Sequence, residues 1–283
     1  MSVEPRTWTS KDYHVHESHS ADASSATVEG YCRMADMRGI DEIAFTTHFI
    51  IKGPDTQIGP SPDEMEGYVE GIHAAQEDTS ITLRVGLEVD YFPGEERRIE
   101  AIIEEHPLDF VLGSLHYIHG YDIGSRRGSR EFFGGRGIEE ALTIYYRGWG
   151  QAVESGLFDV MAHPDYFRRF LPETHPEGVT WEQYGDSVYS AIDSLASHGV
   201  GVSVNSSGWR HGIGDVFPVR GFIEATREAG VDVVTIGSDS HRVEGLGANT
   251  LRSAERLSEA GYSYIYTYES RRGKKVPLED VVA

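Results

Sequence analysis

The stretch Asp12-Tyr13-His14-Val15-His16 decides how the rest of the chain is read. It has the pattern of a short strand's end. Alternate side chains of a strand share a face, so His14 and His16 point the same way with Val15 opposite. Two imidazoles at that spacing suit a divalent cation. Alone the pair is weak evidence, because exposed strand faces often carry idle histidines. It gains weight because ligand-type residues recur just after predicted strands: Asp22, His48, Glu88, His116, His163, Asp239 and His241. Imidazoles and carboxylates together, with no thiolate, form the donor mixture that Zn²⁺, Mn²⁺ or Fe²⁺ favours. One four-coordinate ion would use only part of the set, so two or three divalent ions with a bridging carboxylate are expected. Glu88 is the hardest to explain as structure, since an unpaired carboxylate between Leu87 and Val89 is costly to bury.

Strand and helix signals alternate on either side of these residues. A helix is predicted from Thr27 to Arg38, with Gly39 as its natural stop. Ser61-Pro62-Asp63-Glu64 and Thr180-Trp181-Glu182-Gln183 have the form of capping boxes that open helices. Further strands are predicted at Glu42–Thr46, Ile81–Val85, Asp109–Leu112, Phe158–Ala162, Val200–Val204 and Val231–Ile236. Residues 117–137, rich in glycine and arginine, read as a long surface loop. Residues 1–11 read as a short lead and 269–283 as a C-terminal tail. Seven strand–helix units with short connections call for a parallel sheet with helices outside it. Periodicity does not choose between an open sheet and a closed barrel, but the ligand positions do. They follow strands one, two, three, four, five and seven, and only a barrel gathers those ends into one mouth. The expectation is an α/β barrel filling residues 1–283 as a single domain.

The bulk properties narrow the function. The formal charge is −21, from 25 basic and 46 acidic residues, which argues against extended nucleic acid as a partner. No apolar run is long enough to span a bilayer, and the first residues lack the apolar segment of a signal peptide. The single cysteine, Cys32, excludes an internal disulfide and fits a reducing cytoplasm.

Six motifs, in order, resemble the polymerase-and-histidinol-phosphatase (PHP) family. They are Asp12-Tyr13-His14-Val15-His16, Thr46-Thr47-His48, Gly86-Leu87-Glu88-Val89-Asp90, Gly113-Ser114-Leu115-His116, His163-Pro164-Asp165 and Gly237-Ser238-Asp239-Ser240-His241. The stretches 107–114 and 204–210 look like the histidinol-phosphatase branch in particular. The resemblance implies a distorted (β/α)₇ barrel with a trinuclear metal centre at the C-terminal face of the strands. It also implies a division of ligands: His14, His16, Glu88 and Asp239 around one ion, and Glu88 bridging to a second held by His116 and His163. Asp22, His48 and His241 would hold the third. Two positions depart from the pattern. Many relatives in this branch have histidine where Asp22 stands, and an acidic residue commonly stands where Thr47 does, which bears on how His48 is oriented.

The activity implied is hydrolysis of a small phosphate monoester, with L-histidinol phosphate expected as substrate and histidine biosynthesis as the setting. Catalytic weight falls on Glu88, Asp239 and His241, with water activated between the ions attacking phosphorus in line. No Cys-x₅-Arg signature or phosphorylated nucleophile stands out. Arg168, Arg210 and Arg242 are the candidates for gripping the phosphate dianion, since guanidinium matches phosphate in a bidentate fashion. His19, Tyr117 and the loop 117–137 are candidates for the rest of the substrate, with Asp165 or Asp90 for its amine. Two other readings remain: a PHP phosphoesterase acting on nucleotides or on 3′ ends of nucleic acid, and a metal-binding barrel without turnover.

Overall fold

The computed structural model of the chain describes residues 6–283. Strand β1 (Lys11–Val15) leads through helix α1 (Val28–Arg38) to β2 (Glu42–Phe49), then α2 (Met65–Gln76), β3 (Thr82–Asp90) and α3 (Glu96–Glu105). Strand β4 (Phe110–Ser114) is followed by a small hairpin of β5 (Tyr117–Ile118) and β6 (Tyr121–Asp122), then α4 (Arg126–Gly134) and α5 (Ile138–Glu154). The chain continues with β7 (Val160–Met161), α6 (Gly185–His198), β8 (Gly201–Asn205) and the single turn α7 (Ser207–Arg210). Helix α8 (Arg220–Glu228), β9 (Val234–Gly237) and α9 (Thr250–Glu259) complete the repeating pattern. A second hairpin, β10 (Tyr264–Glu269) with β11 (Arg272–Pro277), and the short helix α10 (Leu278–Val282) come last.

Seven strands form one parallel sheet in the order β1-β2-β3-β4-β7-β8-β9. Its two edges meet. Val15 bridges Ser240 in parallel, the His16 amide donates to the Ser240 carbonyl (2.8 Å), and the Ser240 amide donates back to His14 (3.3 Å). The sheet is therefore closed as a (β/α)₇ barrel, as the distribution of ligand residues requires.

Alternation along each strand sorts the side chains. On β4, Phe110 and Leu112 join Tyr13, Ala44, Val160, Ala162 and Tyr268 inside the barrel, while Val111 faces the helices. Between Asp12 and Val15 the pairing of β1 with β2 slips, so that Tyr13 packs inward on Phe110 although its neighbour His14 also faces the mouth. Such irregularities re-aim side chains near functional sites. Outside, the helices bury one face each. α8 seals Phe222 and Ile223, an apolar burial that contributes about 1.5–3 kcal/mol per side chain.

Helix ends follow the sequence closely. Thr27 accepts from the Gly30 amide, and Gly39 takes a left-handed conformation (φ 68°) where α1 stops. Both predicted capping boxes form, at Ser61 with Glu64 and at Thr180 with Gln183. Two expectations are corrected. Residues 117–137 are not a bare loop: the hairpin β5–β6 and helix α4 occupy them, because Phe132 and Phe133 are fully buried and anchor the segment. Residues 269–283 are not a tail. β11 pairs along β10, and Tyr268 closes the bottom of the barrel, its amide donating to the Tyr13 hydroxyl (2.8 Å).

Candidate metal centre

The strands β1 to β4 and β7 to β9 all point their C-terminal ends at one mouth, and nearly every candidate ligand sits at or just past such an end. β1 delivers His14 and His16. β2 and β3 run in register with His48 opposite Glu88, which places both on the inner face. His116 follows β4, His163 follows β7, and Asp239 and His241 follow β9. Asp22 comes from a single 3₁₀ turn, Ala21–Ala23, after β1. Two backbone details keep this crowd together. A Cβ on Gly237 would lie 2.3 Å from the Cβ of His14, so only glycine lets β9 approach β1 that closely. Asp239 adopts φ 54°, a left-handed conformation uncommon for a side-chain-bearing residue and typical of strained functional positions.

Glu88 lies at the centre and is almost fully buried. Its carboxylate oxygens are 3.0 Å from His163, 3.1 Å from His48, 3.3 Å from His14, 3.5 Å from His16 and 3.9 Å from His116. Asp239 reaches His16 and His241 at 3.5 Å and His14 at 3.7 Å. Three groups of donors have all their ligand atoms within 4.8 Å of one another: His14 with Glu88 and His163, His14 with His16 and Asp239, and His16 with His48 and His241. Asp22 stands beside the third, 3.2 Å from His241 and 3.7 Å from His48. These groups depart from the division implied by family resemblance: His16 stands with His48 and His241 as well as with His14 and Asp239, His14 rather than His116 joins Glu88 and His163, and Glu88 is not grouped with His16 and Asp239.

The donor set fits divalent cations. His14 and His16 turn their Nε2 atoms to within 3.1 Å of each other, and the rings of His16 and His241 stack at 4.0 Å. His16 Nδ1 is buried without a hydrogen-bond partner among the described residues, and Glu88 Oε1 and His48 Nδ1, although 3.0 Å from His163 and 3.1 Å from Glu88, are not aligned to hydrogen-bond. So many imidazoles packed face to face, with orphaned polar atoms beside them, suit cations better than one another. The ring of His116 is fixed from behind by Asp90, which accepts from its backbone amide (2.9 Å) and lies 3.1 Å from Nδ1, the carboxylate–histidine arrangement typical of metal ligands. Thr47 lacks the acidic side chain expected there, yet its hydroxyl donates to Glu17 (3.1 Å), a buried carboxylate. Glu17 escaped sequence analysis because it follows the His-x-His strand with no pattern of its own.

Charge is distributed unevenly. Burial opposes ionisation of Glu88 and Asp239, but the surrounding imidazoles hold both well below the usual carboxylate range. Burial and the neighbouring rings of His241 and His48 hold His16 far below the usual imidazole value. At the exposed edge the pattern reverses. Burial would raise Asp22, but its contact with His241 draws it down to about 2. Burial would lower His241, but Asp22 and Asp239 push it up to about 9. For chelated protein this fixes a pH window. The lowered Asp22 contributes stability above its ordinary value near 4, lost as pH falls through about 2. The raised His241 contributes stability below its ordinary value near 6.5, lost as pH rises through about 9. The melting temperature of chelated protein is expected to decline from pH 6.5 to 9, and Asp22→Asn to flatten the decline. An unchanged slope in the variant would remove the pair from the account. Ion affinity should rise over the same interval, because imidazole ligands must shed their protons.

Above the ligands opens a cavity of about 430 Å³ lined by Asp22, His48, Glu88, His116, His163, Asp239 and His241 at its floor. Arg210 and Arg242 line it as the sequence suggests. Arg210 also donates to the carbonyls of Ser238 (3.1 Å) and Asp239 (2.6 Å), bracing the left-handed turn. Arg168 does not reach the cavity. Its guanidinium is turned into the protein, donating to Asp165 (3.1 Å) and to the Val216 carbonyl (3.0 Å) and lying over Phe217. The next residue, Arg169, lines the cavity instead, donating to the Tyr166 hydroxyl (2.5 Å). Asp165 does not line the cavity either: it is fully buried, with one oxygen accepting from Arg168 and from the Val219 amide (2.7 Å). His211, half-buried at the end of α7, was not foreseen; burial and Arg169 lower it to about 4.

Residues 12–207 match the model of the PHP domain family. The chain is 27% identical to a probable histidinol-phosphatase of Deinococcus radiodurans over 259 residues, 88% of this chain and 93% of that one. It is 23% identical to the histidinol-phosphatase of Lactococcus lactis, covering 92% of this chain and 95% of the relative. Among solved structures, it superposes with a TM-score of 0.80 on the Lactococcus lactis histidinol phosphate phosphatase complexed with zinc, L-histidinol and phosphate, at 21% identity and covering 94% and 98% of the two chains. The closed seven-stranded barrel, the six motifs at its mouth and the matched 196 residues make this chain a member of the PHP domain family.

Proposed function

We propose that this protein is a metal-dependent phosphatase that hydrolyses L-histidinol phosphate to L-histidinol and phosphate, with three divalent ions held by nine ligands, Glu88 at their centre. The observation that carries this reading is the cavity itself: a floor of imidazoles and carboxylates facing Arg169, Arg210 and Arg242 in about 430 Å³, the size of a small-molecule site. Histidinol-phosphatases of similar sequence support the choice of substrate. Bound divalent ions supply Lewis acidity toward the phosphoryl oxygens and lower the pKa of water.

The chain's own residues do the rest. Glu88 and Asp239 supply the buried negative charge that makes the floor attractive to cations. The three arginines place fixed positive charge where a phosphate dianion needs it, and Arg169 and Arg210 are held still by Tyr166 and by the Ser238–Asp239 turn. His241 lines the cavity between Asp22 and Asp239, in contact with both the ligand floor and the space for the reacting phosphate. The substrate sets the role in histidine biosynthesis, and a lone buried thiol at Cys32 suits the cytoplasm where that role belongs. Among the described residues no helix is long and apolar enough to cross a membrane.

Phosphate release is the test. Turnover is expected from L-histidinol phosphate, and little from nucleoside monophosphates or a single-stranded oligonucleotide. Chelation should abolish it, and Mn²⁺ or Zn²⁺ should restore it. Preference for a nucleotide, or no release from any substrate by protein holding its full complement of ions, would overturn the reading.

A further inference from the structure

We infer that the β5–β6 hairpin reads a positive charge on the far end of the substrate, with the Asp122 carboxylate as its counter-charge and Tyr117 as its aromatic wall; this rests on the phosphatase reading above. The cavity rim divides into two arcs. Arg169, Arg210 and Arg242 follow β7, β8 and β9, three neighbouring strands. Tyr117 and Asp122 follow β4, on the other arc of the barrel, beside Ile50 and Ile58 from the loop after β2. The cavity is therefore cationic along one arc and acidic, aromatic and apolar along the other.

Among the described residues, Asp122 is the one carboxylate on that second arc left uncommitted. Asp90 is taken up by the backbone and ring of His116. Asp55 accepts from the Tyr117 hydroxyl (2.5 Å). Asp122 accepts one backbone hydrogen bond, from Ser125 (3.2 Å), which fixes its direction without neutralising it. The arginines that follow it in sequence could have done so and do not. Arg126 and Arg130 turn to Glu173 (3.1 and 3.9 Å), and Arg127 turns to Glu131 (2.9 Å). A carboxylate held in place at a cavity wall, with nearby guanidinium groups drawn elsewhere, suits a cation that arrives with the ligand.

The wall beside it is rigid. Phe92 stacks on Tyr117 with ring centres 5.3 Å apart, and the Asp55 hydrogen bond stops the Tyr117 side chain from turning. A fixed aromatic face next to a free carboxylate receives a protonated amine or a flat imidazolium ring. The ligand class is thus a phosphate monoester carrying a cation several atoms from phosphorus. A second phosphate or a nucleic-acid strand would meet Asp122 as a like charge.

Asp122→Asn keeps the shape and the acceptor for the Ser125 amide while removing the charge. The measurement is the ratio of kcat/KM for L-histidinol phosphate to that for p-nitrophenyl phosphate, which has no cation, with ion content checked in both proteins. The ratio is expected to fall about ten- to hundredfold, the worth of one charge-assisted hydrogen bond, chiefly through KM for L-histidinol phosphate. An unchanged ratio, whether both activities persist or both fall together, overturns the inference. If the parent protein ignores L-histidinol phosphate, the substrate reading has failed. The inference is then tried on phosphoethanolamine, and a ratio to p-nitrophenyl phosphate that Asp122→Asn leaves unchanged overturns it as well.

Discussion

Glu88→Gln is expected to lose at least about a thousandfold in kcat, since deleting even one donor to a developing charge costs on the order of 10²–10³. The substitution preserves volume and polarity, so the barrel should fold around it. What it removes is the charge. Five imidazoles lie within 3.9 Å of the carboxylate, which touches His14 and His163 on one side and His48 on the other. An amide has a single acceptor oxygen, and its NH₂ would face His163 or His48 as a donor where an acceptor is required. Cations lose a shared anionic ligand and the imidazoles lose their electrostatic partner. Altering groups that merely orient ligands costs about 10–100-fold in metal affinity, so loss of a central ligand should exceed that. Elemental analysis of dialysed protein should show at least one ion missing, alongside the loss of phosphate release. A Gln variant with the parent's ion content and more than a tenth of its turnover would remove Glu88 from the centre of the chemistry.

The residues that sequence analysis found and those it missed differ in a physical way. His14, His48, Glu88, His116, His163 and Asp239 were visible because strand ends give ligand-type residues a fixed address, and a polar group among Val, Leu and Phe is conspicuous. Barrel closure was visible for the same reason: donors after six of seven strands have one place to meet. Arg168 and Arg169 show where this stops. Both lie on a 3₁₀ turn, Tyr166–Arg169, where successive side chains leave the axis in different directions. Which of the two faces the cavity depends on Asp165 and the Val216 carbonyl, partners that tertiary packing brings in from elsewhere. Glu17 and Asp122 were hidden likewise, since their roles come from what stands near them in space. A Tyr-rich strand is legible at Tyr262–Tyr268, but its partner β11 was missed because it opens on the exposed run Arg272-Gly273-Lys274-Lys275, with no alternation to mark a strand. The hairpin's place is set by Tyr268 filling the barrel floor, a long-range contact that local pattern does not register.

The first residue of the opening motif supplies the other large effect: Asp12→Ala should destabilise the protein by about 3–5 kcal/mol, at about 1–3 kcal/mol for each buried donor left without an acceptor. Asp12 is fully buried and is not a ligand. One carboxylate oxygen accepts from the Ser238 amide (2.9 Å) and the His14 amide (3.3 Å). The other accepts from the Ser238 hydroxyl (2.5 Å) and the Gly247 amide (2.7 Å). These bonds run across the seam where β1 meets β9, the contact that turns a seven-stranded sheet into a barrel. They join at the point from which His14 departs on one side and Asp239 on the other. Alanine leaves the amides of Ser238 and Gly247 facing a small cavity too deep for ready hydration, next to the tight approach of Gly237 to His14. With total stability ordinarily about 5–15 kcal/mol, a loss of this size is a large share of it. The seam should loosen first, so ion content should fall even in the fraction that stays folded. Urea unfolding of chelated parent and variant, compared at equal m-value, separates the packing effect from the loss of bound ions. A variant within about 1 kcal/mol of the parent, the worth of a single ordinary hydrogen bond, would mean that the strand ladder alone closes the barrel and that His14 and Asp239 are aligned without Asp12.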